Sequence, residues 1–324
     1  MSARLPSLRN RRAFVSLALL LATLLPAHAA PGDCVFTRRP PATLKNMGPC
    51  DFDPEKLSFR GTPAEQAACL ARPVLPGGAI DKEPGKLPKD FLARVGTGKD
   101  LPRQSDLMTY LLAVGFAREL AFGLPLPISR ANSNDADAPS ARYFVIHDTS
   151  APNFRRKPFP EFADWNHGIN NLNRYRCANA IEPAHIFINR RGEILKGHDF
   201  LVPWRATKFE GATNFGTRLR GLFVHTELIQ PRRAMPGRGW LNDFLAPTPG
   251  FSRAQYDRLA LVYIVASRRA GQWMIPAFHA VIDEGIPDKH DDPQNFEFAE
   301  FNDAINRLLP RIPHGPETTK NFVP

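Results

Sequence analysis

Tyr143-Phe144-Val145-Ile146 is an unbroken, β-rich apolar run that ends in His147-Asp148-Thr149-Ser150. A short apolar run bounded in this way reads as a buried strand. Polar groups gathered at the end of such a strand lie where α/β folds place their chemistry. The segments that follow supply partners for it. His185 to Asn189 reads as a second strand, Arg190-Arg191-Gly192-Glu193 as a tight turn, and Ile194-Leu195-Lys196 as the return strand of a hairpin. Gly221 to Ile229 reads as a further strand, in which Glu227 is embedded among apolar neighbours; a carboxylate there needs a partner or a function. Ser252 to Ala270 reads as a helix, with Ser252 and Gln255 forming a capping box and Tyr256, Leu259, Ala260, Tyr263 and Ala266 lying on one apolar face. Phe298 to Leu309 reads as a final amphipathic helix stopped by Pro310. The order strand, hairpin, strand, helix, loop, helix predicts an α/β fold: a mixed central sheet flanked by helices.

The part before residue 141 is different in character. The chain has 32 prolines, about twice the usual share, and residues 30–87 are dense in Pro and Gly with little periodicity. Pro63 to Leu70 reads as one short helix, and Asp106 to Phe122 as a better one capped by Ser105. Residues 123–140 read as a loop or boundary. The expected organisation is a leader over 1–29, a Pro-rich, partly helical extension over 30–138, a main domain over 139–312 and a tail over 313–324.

The leader has the pattern of an export signal. Arg4, Arg9, Arg11 and Arg12 precede the apolar run Ala13 to Leu25, and Ala27-His28-Ala29 supplies a small-x-small cleavage pattern. The run is shorter than the roughly 20 residues a spanning helix needs. Asn10-Arg11-Arg12-Ala13-Phe14-Val15 also fits a twin-arginine signal, and general secretory and twin-arginine export both stay open. The expectation is an exported protein, periplasmic or secreted, with no transmembrane anchor in the mature chain. Removing four arginines and no acids lowers the formal charge from +10 to +6, which favours a polyanionic neighbour. The basic residues are scattered and not interleaved with aromatics, so nucleic acid is not expected. Cys34, Cys50, Cys69 and Cys177 contain no C-x-x-C pair, which argues against a cysteine zinc site. In an oxidising compartment they allow two disulfides in three connectivities, with Cys34 to Cys50 the natural local pairing. Oligomeric state is not legible.

The chemistry concentrates in residues 275–296, where a histidine, a lysine and an acidic pair share one turn-rich segment. Two strand-associated histidines, His147 and His279, with an aspartate of that loop match a catalytic zinc site, which uses three protein ligands and keeps one position open. Zinc lowers the pKa of a bound water to about 7 and polarises a carbonyl. Glu227 is a candidate to take the water's proton, and Lys289 to stabilise the developing oxyanion. His167, His198, His225, His290 and His314 fit no motif and read as structural or solvent-facing.

Residues 141–309 resemble the zinc-dependent N-acetylmuramoyl-L-alanine amidases of the type 2 family, which share a fold with peptidoglycan recognition proteins. The resemblance is carried by Ile146-His147-Asp148-Thr149, by His185 ahead of the turn at Gly192, by Thr226-Glu227-Leu228, and by Gln255-Tyr256. It continues through Ile275-Pro276, His279, Lys289, Asp292 and Pro293, all in the family's order. It implies zinc held by His147, His279 and Asp292, with Glu227 and Lys289 acting on the amide between N-acetylmuramic acid and L-alanine of peptidoglycan or muropeptides. Arg205, Lys208 and Arg218 are then candidates for contacts to the stem peptide's carboxylates or the glycan. The chain departs from the pattern in four places. Trp204-Arg205 stands where the family has Trp-His, the loop from His279 to Lys289 is longer, and Gln294-Asn295 replaces a Gly-Pro. The doublet Asp291-Asp292 leaves two claimants for the third ligand, of which Asp292 directly precedes Pro293. The alternatives are a non-catalytic peptidoglycan-binding protein on the same fold and a zinc peptidase acting on the stem peptide.

Overall fold

Every side chain of the first long strand, β3 (Tyr143–Asp148), is buried, which is why it reads as an apolar run with no alternation. The structure, a computed structural model, describes residues 50–120, 127–176, 184–212, 218–238 and 242–313. The proposed export signal, Cys34, Cys177, Phe122 and His314 lie outside the described residues.

Two short strands come first, β1 (Phe52–Asp53) and β2 (Ser58–Phe59), which pair antiparallel. Helices α1 (Pro63–Leu70), α2 (Lys89–Arg94), α3 (Gln104–Ala113) and α4 (Ala117–Leu120) follow. After β3 come the one-turn α5 (His167–Asn170), the hairpin β4 (Ile186–Ile188) and β5 (Ile194–Lys196), and β6 (Phe223–Leu228). Helix α6 (Arg253–Ala270), β7 (Ile275–Phe278), the single turn α7 (His279–Ile282) and α8 (Phe298–Leu308) complete the order. The five-stranded sheet runs β5-β4-β6-β3-β7. Strands β4, β6, β3 and β7 are parallel and β5 is antiparallel, so the sheet is mixed as the sequence predicts.

Register decides which side chains share a face. Tyr143 pairs with Phe223, Val145 with His225 and His147 with Glu227, so these six look out from one side of β3 and β6. That side is covered by Phe52, Phe59 and Phe209, whose rings meet at 5.0–5.7 Å and reach Tyr143 and Phe223. On the other side Phe144 meets Tyr263 of α6 edge-on at 5.2 Å, and α8 packs behind. The apolar face read on α6 is buried, and so are Leu261, Val262, Ile264 and Val265 on its flanks. A helix apolar nearly all round needs cover all round, and Phe91 of α2 supplies part of it by stacking on Tyr263.

Local chemistry fixes the ends. Ser252 accepts from the Gln255 amide while the Gln255 side chain accepts from the Ser252 amide, and Gly271 closes α6 in the left-handed conformation at φ 76°. Two expectations are corrected here. The helix expected over 106–122 with a Ser105 cap is α3, beginning at Gln104 with no side-chain cap. Asp106 is instead tied to Arg103 at 2.7 Å inside the first turn, and Gly115 at φ 76° ends the run before α4. The local disulfide Cys34–Cys50 does not form: Cys50 is bonded to Cys69, tying the β1 end of the segment to α1.

The segment after α1 grips the loop that carries the site. Arg72 is buried and pairs with Glu284, the Gly77 amide donates to Gln294 Oε1 at 3.1 Å, and the Asn295 amide donates to the Val74 carbonyl at 3.1 Å. Gly78 lies at φ 77°, and a Cβ there would come within 2.3 Å of Asp291 Cβ. The N-terminal part thus acts as a buttress for residues 284–295.

Candidate metal centre

The parallel ladder delivers three functional positions side by side. Glu227 of β6 pairs with His147 of β3, and Ile146 pairs with Phe278 of β7, which puts His279 next to His147 at the carboxyl ends of the strands. Asp292 arrives from the loop beyond α7. The Asp148 amide donates to its Oδ2 at 3.1 Å, and the Ala280 amide donates to its carbonyl at 2.8 Å.

His147 Nδ1 lies 2.9 Å from His279 Nδ1 and 3.7 Å from Asp292 Oδ2, and His279 Nδ1 lies 3.1 Å from Asp292 Oδ1. All three residues are buried, and one ligand atom of each lies within 4.8 Å of the others. Atoms that share one zinc at bonds of ~2.0–2.1 Å are spaced by roughly 3.3 Å in a tetrahedron, so this donor set fits one cation. Glu227 Oε1 is 3.9 Å from His147 Nδ1, and its Oε2 is buried without a hydrogen-bond partner, which leaves a carboxylate oxygen beside the three donors. Three such donors could hold one cation and leave a coordination position open.

The electrostatics follow from burial and from mutual neighbours. Burial, with the charge of His279 and the ring of His225, holds His147 well below the ordinary histidine pKa. Burial also opposes a charge on His279, but the carboxylates of Asp292 and Asp283 overcome it and raise its pKa well above the ordinary value. For Asp292 burial is outweighed by His279, which keeps the carboxyl below the usual carboxylate range. Burial and then the Asp292 charge push Glu227 well up. The two carboxylates thus favour the protonated ring of His279, whose Nδ1 faces His147 Nδ1 and Asp292.

The acidic doublet separates cleanly. Asp291 turns away to Arg232 Nη1 at 3.2 Å and Gln294 Nε2 at 2.8 Å, while Arg232 Nη2 donates to Asp148 Oδ2 at 2.7 Å. Arg232 is fully buried, so this pair of aspartates neutralises an interior cation. Burial still pushes Asp148 up to about 6 against the pull of Arg232.

The remaining expected residues are less engaged. Lys289 sits in a turn, its amide donating to Ile286 at 3.2 Å, and among the described residues no hydrogen bond or ion pair joins its ammonium to the cluster. The Lys208 ammonium donates to the carbonyls of Pro287 and Asp288 and so holds the site loop. Arg205 and Arg218 are exposed, the Arg205 guanidinium lying over Gly211.

Several neighbours of the site were not anticipated. His225, expected to be structural or solvent-facing, is fully buried, with Nδ1 3.0 Å from His147 Nε2. Its position two residues before Glu227 on one strand was the available signal, since residues i and i+2 share a face. Asp283 lies 3.1 Å from His279 Nε2, four residues on in the same helical turn, a spacing equally visible in sequence. His290, also unassigned, stacks on His279 with centroids 4.3 Å apart, and the charge of His279 together with burial brings it down to about 4. Tyr175 stacks on Phe187 at 5.2 Å and hydrogen-bonds Thr149, and burial with the Glu227 charge pushes its phenol up to about 12. Nothing in the sequence pointed to Glu210, which reaches His225 Nε2 at 3.2 Å from a distant loop.

No protein-family model matches the chain, and no curated protein matches it. A solved structure described as "crystal structure of Se-Met AmpD derivative" is 18% identical, covers 51% of this chain and 85% of that chain, and aligns with a TM-score of 0.29. At that score the likeness bears no argument about this chain.

Proposed function

We propose that the chain is a zinc-dependent hydrolase of the amide between N-acetylmuramic acid and L-alanine in peptidoglycan or muropeptides. The carrying observation is the buried trio His147, His279 and Asp292, whose donor atoms converge at the carboxyl ends of parallel strands beside Glu227, with its unpartnered Oε2. The order of motifs from Ile146-His147 to Asp292-Pro293 supplies the substrate class by its resemblance to the type 2 amidases.

In this reading His147 Nδ1, His279 Nδ1 and an Asp292 oxygen hold zinc, which supplies Lewis-acid polarisation of the scissile carbonyl and acidifies a water. Asp283 fixes His279 through Nε2 and leaves Nδ1 to the centre. Glu227 would take the proton of the attacking water on Oε2 and later return it to the leaving L-alanine nitrogen. Lys289 is assigned to the oxyanion by the motif alone, and Arg205 and Arg218 to the anionic groups of the substrate. The leader would export the protein to the periplasm or medium, where that substrate is found.

Digestion of defined muropeptides by the protein lacking residues 1–29, followed by mass spectrometry, tests the reading. Release of free stem peptides with L-alanine at the amino terminus is expected. Cleavage within the stem peptide would make it a peptidase, and binding without cleavage a recognition protein.

A further inference from the structure

One buried chain of hydrogen bonds runs away from the proposed metal centre and ends on a carboxylate. His147 Nε2 lies 3.0 Å from His225 Nδ1, and His225 Nε2 lies 3.2 Å from Glu210 Oε1. His225 and Glu210 are both fully buried. Glu210 enters this chain as an acceptor. The amides of Ala206 and Thr207 donate to its Oε2 at 3.2 and 3.0 Å, and the Thr207 hydroxyl donates to the same oxygen at 2.9 Å. Three donors converging on one carboxylate oxygen favour the ionised form, which accepts at Oε1 as well.

The tautomers then follow one from another. An acceptor at Glu210 requires the proton of neutral His225 on Nε2. That leaves His225 Nδ1 as a lone pair, so His147 must donate from Nε2. His147 Nδ1 is thereby bare, and it is the nitrogen that faces His279 and Asp292. The backbone holds the middle of the relay in place. The His225 amide donates to His185 Nδ1 at 3.0 Å, and His185 Nε2 donates to the Val202 carbonyl at 3.1 Å. The His225 ring also stacks between His185 and Phe223, at 5.7 and 6.3 Å.

We propose that Glu210 and His225 are positioning residues that lock His147 in the Nε2-protonated tautomer, presenting a bare Nδ1 to a divalent cation before that cation arrives. The inference rests on the metal-centre reading for its purpose, but not for its geometry. It also gives segment 206–210 a double role. The amides of Lys208 and Phe209 donate to Asp283 at 3.1 and 2.9 Å, so one short loop orients His147 through Glu210 and His279 through Asp283.

The experiment has two readouts on full-length mature protein. Histidine-selective ¹⁵N NMR of the metal-free wild type, with His147 assigned by its absence in His147→Gln, reads the tautomer directly. The expected spectrum has His147 protonated on Nε2 alone. A proton on Nδ1, or a doubly protonated His225, overturns the relay. Zinc affinity, measured by competition with a chelator, is the second readout. His225→Leu removes the acceptor and is expected to weaken zinc about 10–100-fold. His225→Asn, whose amide oxygen replaces Nδ1 as an acceptor, is expected to recover most of that loss. Equal affinities for wild type and His225→Leu overturn the proposal. If His225→Leu does not fold, the wild-type spectrum still decides. A wild type that binds no zinc yet shows the expected tautomer defeats the metal-centre reading and leaves the relay standing.

Discussion

His147 Nδ1 and His279 Nδ1 face each other at 2.9 Å, closer than two lone pairs tolerate, with the Asp292 carboxylate 3.1 Å from the second. A proton or a cation between them relieves that contact. In the metal-free chain the carboxylates of Asp292 and Asp283 favour a proton on His279, which the proposed cation would displace.

Zinc binding is therefore expected to release a proton. The folded chain holds His279 above its ordinary pKa of 6.5 through Asp292 and Asp283. The stability this contributes to the metal-free protein is complete below the unfolded-state value and is lost as pH rises through the folded-state one. Zinc needs the neutral ring, so its affinity rises with pH over that same range and falls on acidification. Titration calorimetry in buffers of different ionisation enthalpy should report about one proton released per zinc near neutral pH. Proton-independent binding would contradict this.

Glu227→Gln should separate chemistry from metal binding. The substitution keeps shape but removes the group that carries the proton, and general acid–base contributions of this kind are worth about 10²–10⁴-fold in rate. Zinc content should stay at the wild-type level. An active Glu227→Gln enzyme would remove the residue from the mechanism.

The acidic doublet should divide under mutation. Asp292→Ala loses a ligand and should lose zinc. Asp291→Asn should keep zinc, since Asp291 faces Arg232 and Gln294, and should instead lower the melting temperature by weakening the partner of a buried cation. The reverse pattern would reassign the third ligand.

Gly78→Ala tests the buttress. At φ 77°, with Asp291 Cβ 2.3 Å from the added methyl, the substitution is strained on two counts. A lower melting temperature is expected, together with weaker zinc binding through the displaced 291–292 loop. Unchanged zinc affinity would show that residues 72–78 merely pack.

Cys50→Ser with Cys69→Ser should cost about 2–4 kcal/mol in unfolding free energy, the usual worth of a disulfide closing a loop of this size. Chemical denaturation of the oxidised and variant proteins measures it.

What the sequence made legible depended on how local the cause was. The strand Tyr143–Asp148 stood out because burial on both faces removes alternation, and the start of α6 because Ser252 and Gln255 bond each other three residues apart. The hairpin was marked by Gly192, whose φ of 74° suits glycine. Ser105 misled because the helix starts one residue earlier, at Gln104, which puts the serine inside the first turn. His147, His279 and Asp292 could be singled out by residue type and order, yet their convergence depends on the register of β3 with β7 and on a loop held by distant amides. Glu210 was illegible for the same reason: its contact with His225 is made by tertiary packing, and no periodicity encodes it.

Metal analysis of the purified mature protein, set beside His147→Ala and Asp292→Ala, tests the central claim most directly. The account predicts one zinc per wild-type chain and loss of zinc in both variants with the fold retained. A metal-free wild type under zinc saturation, or variants that keep full zinc, would contradict it.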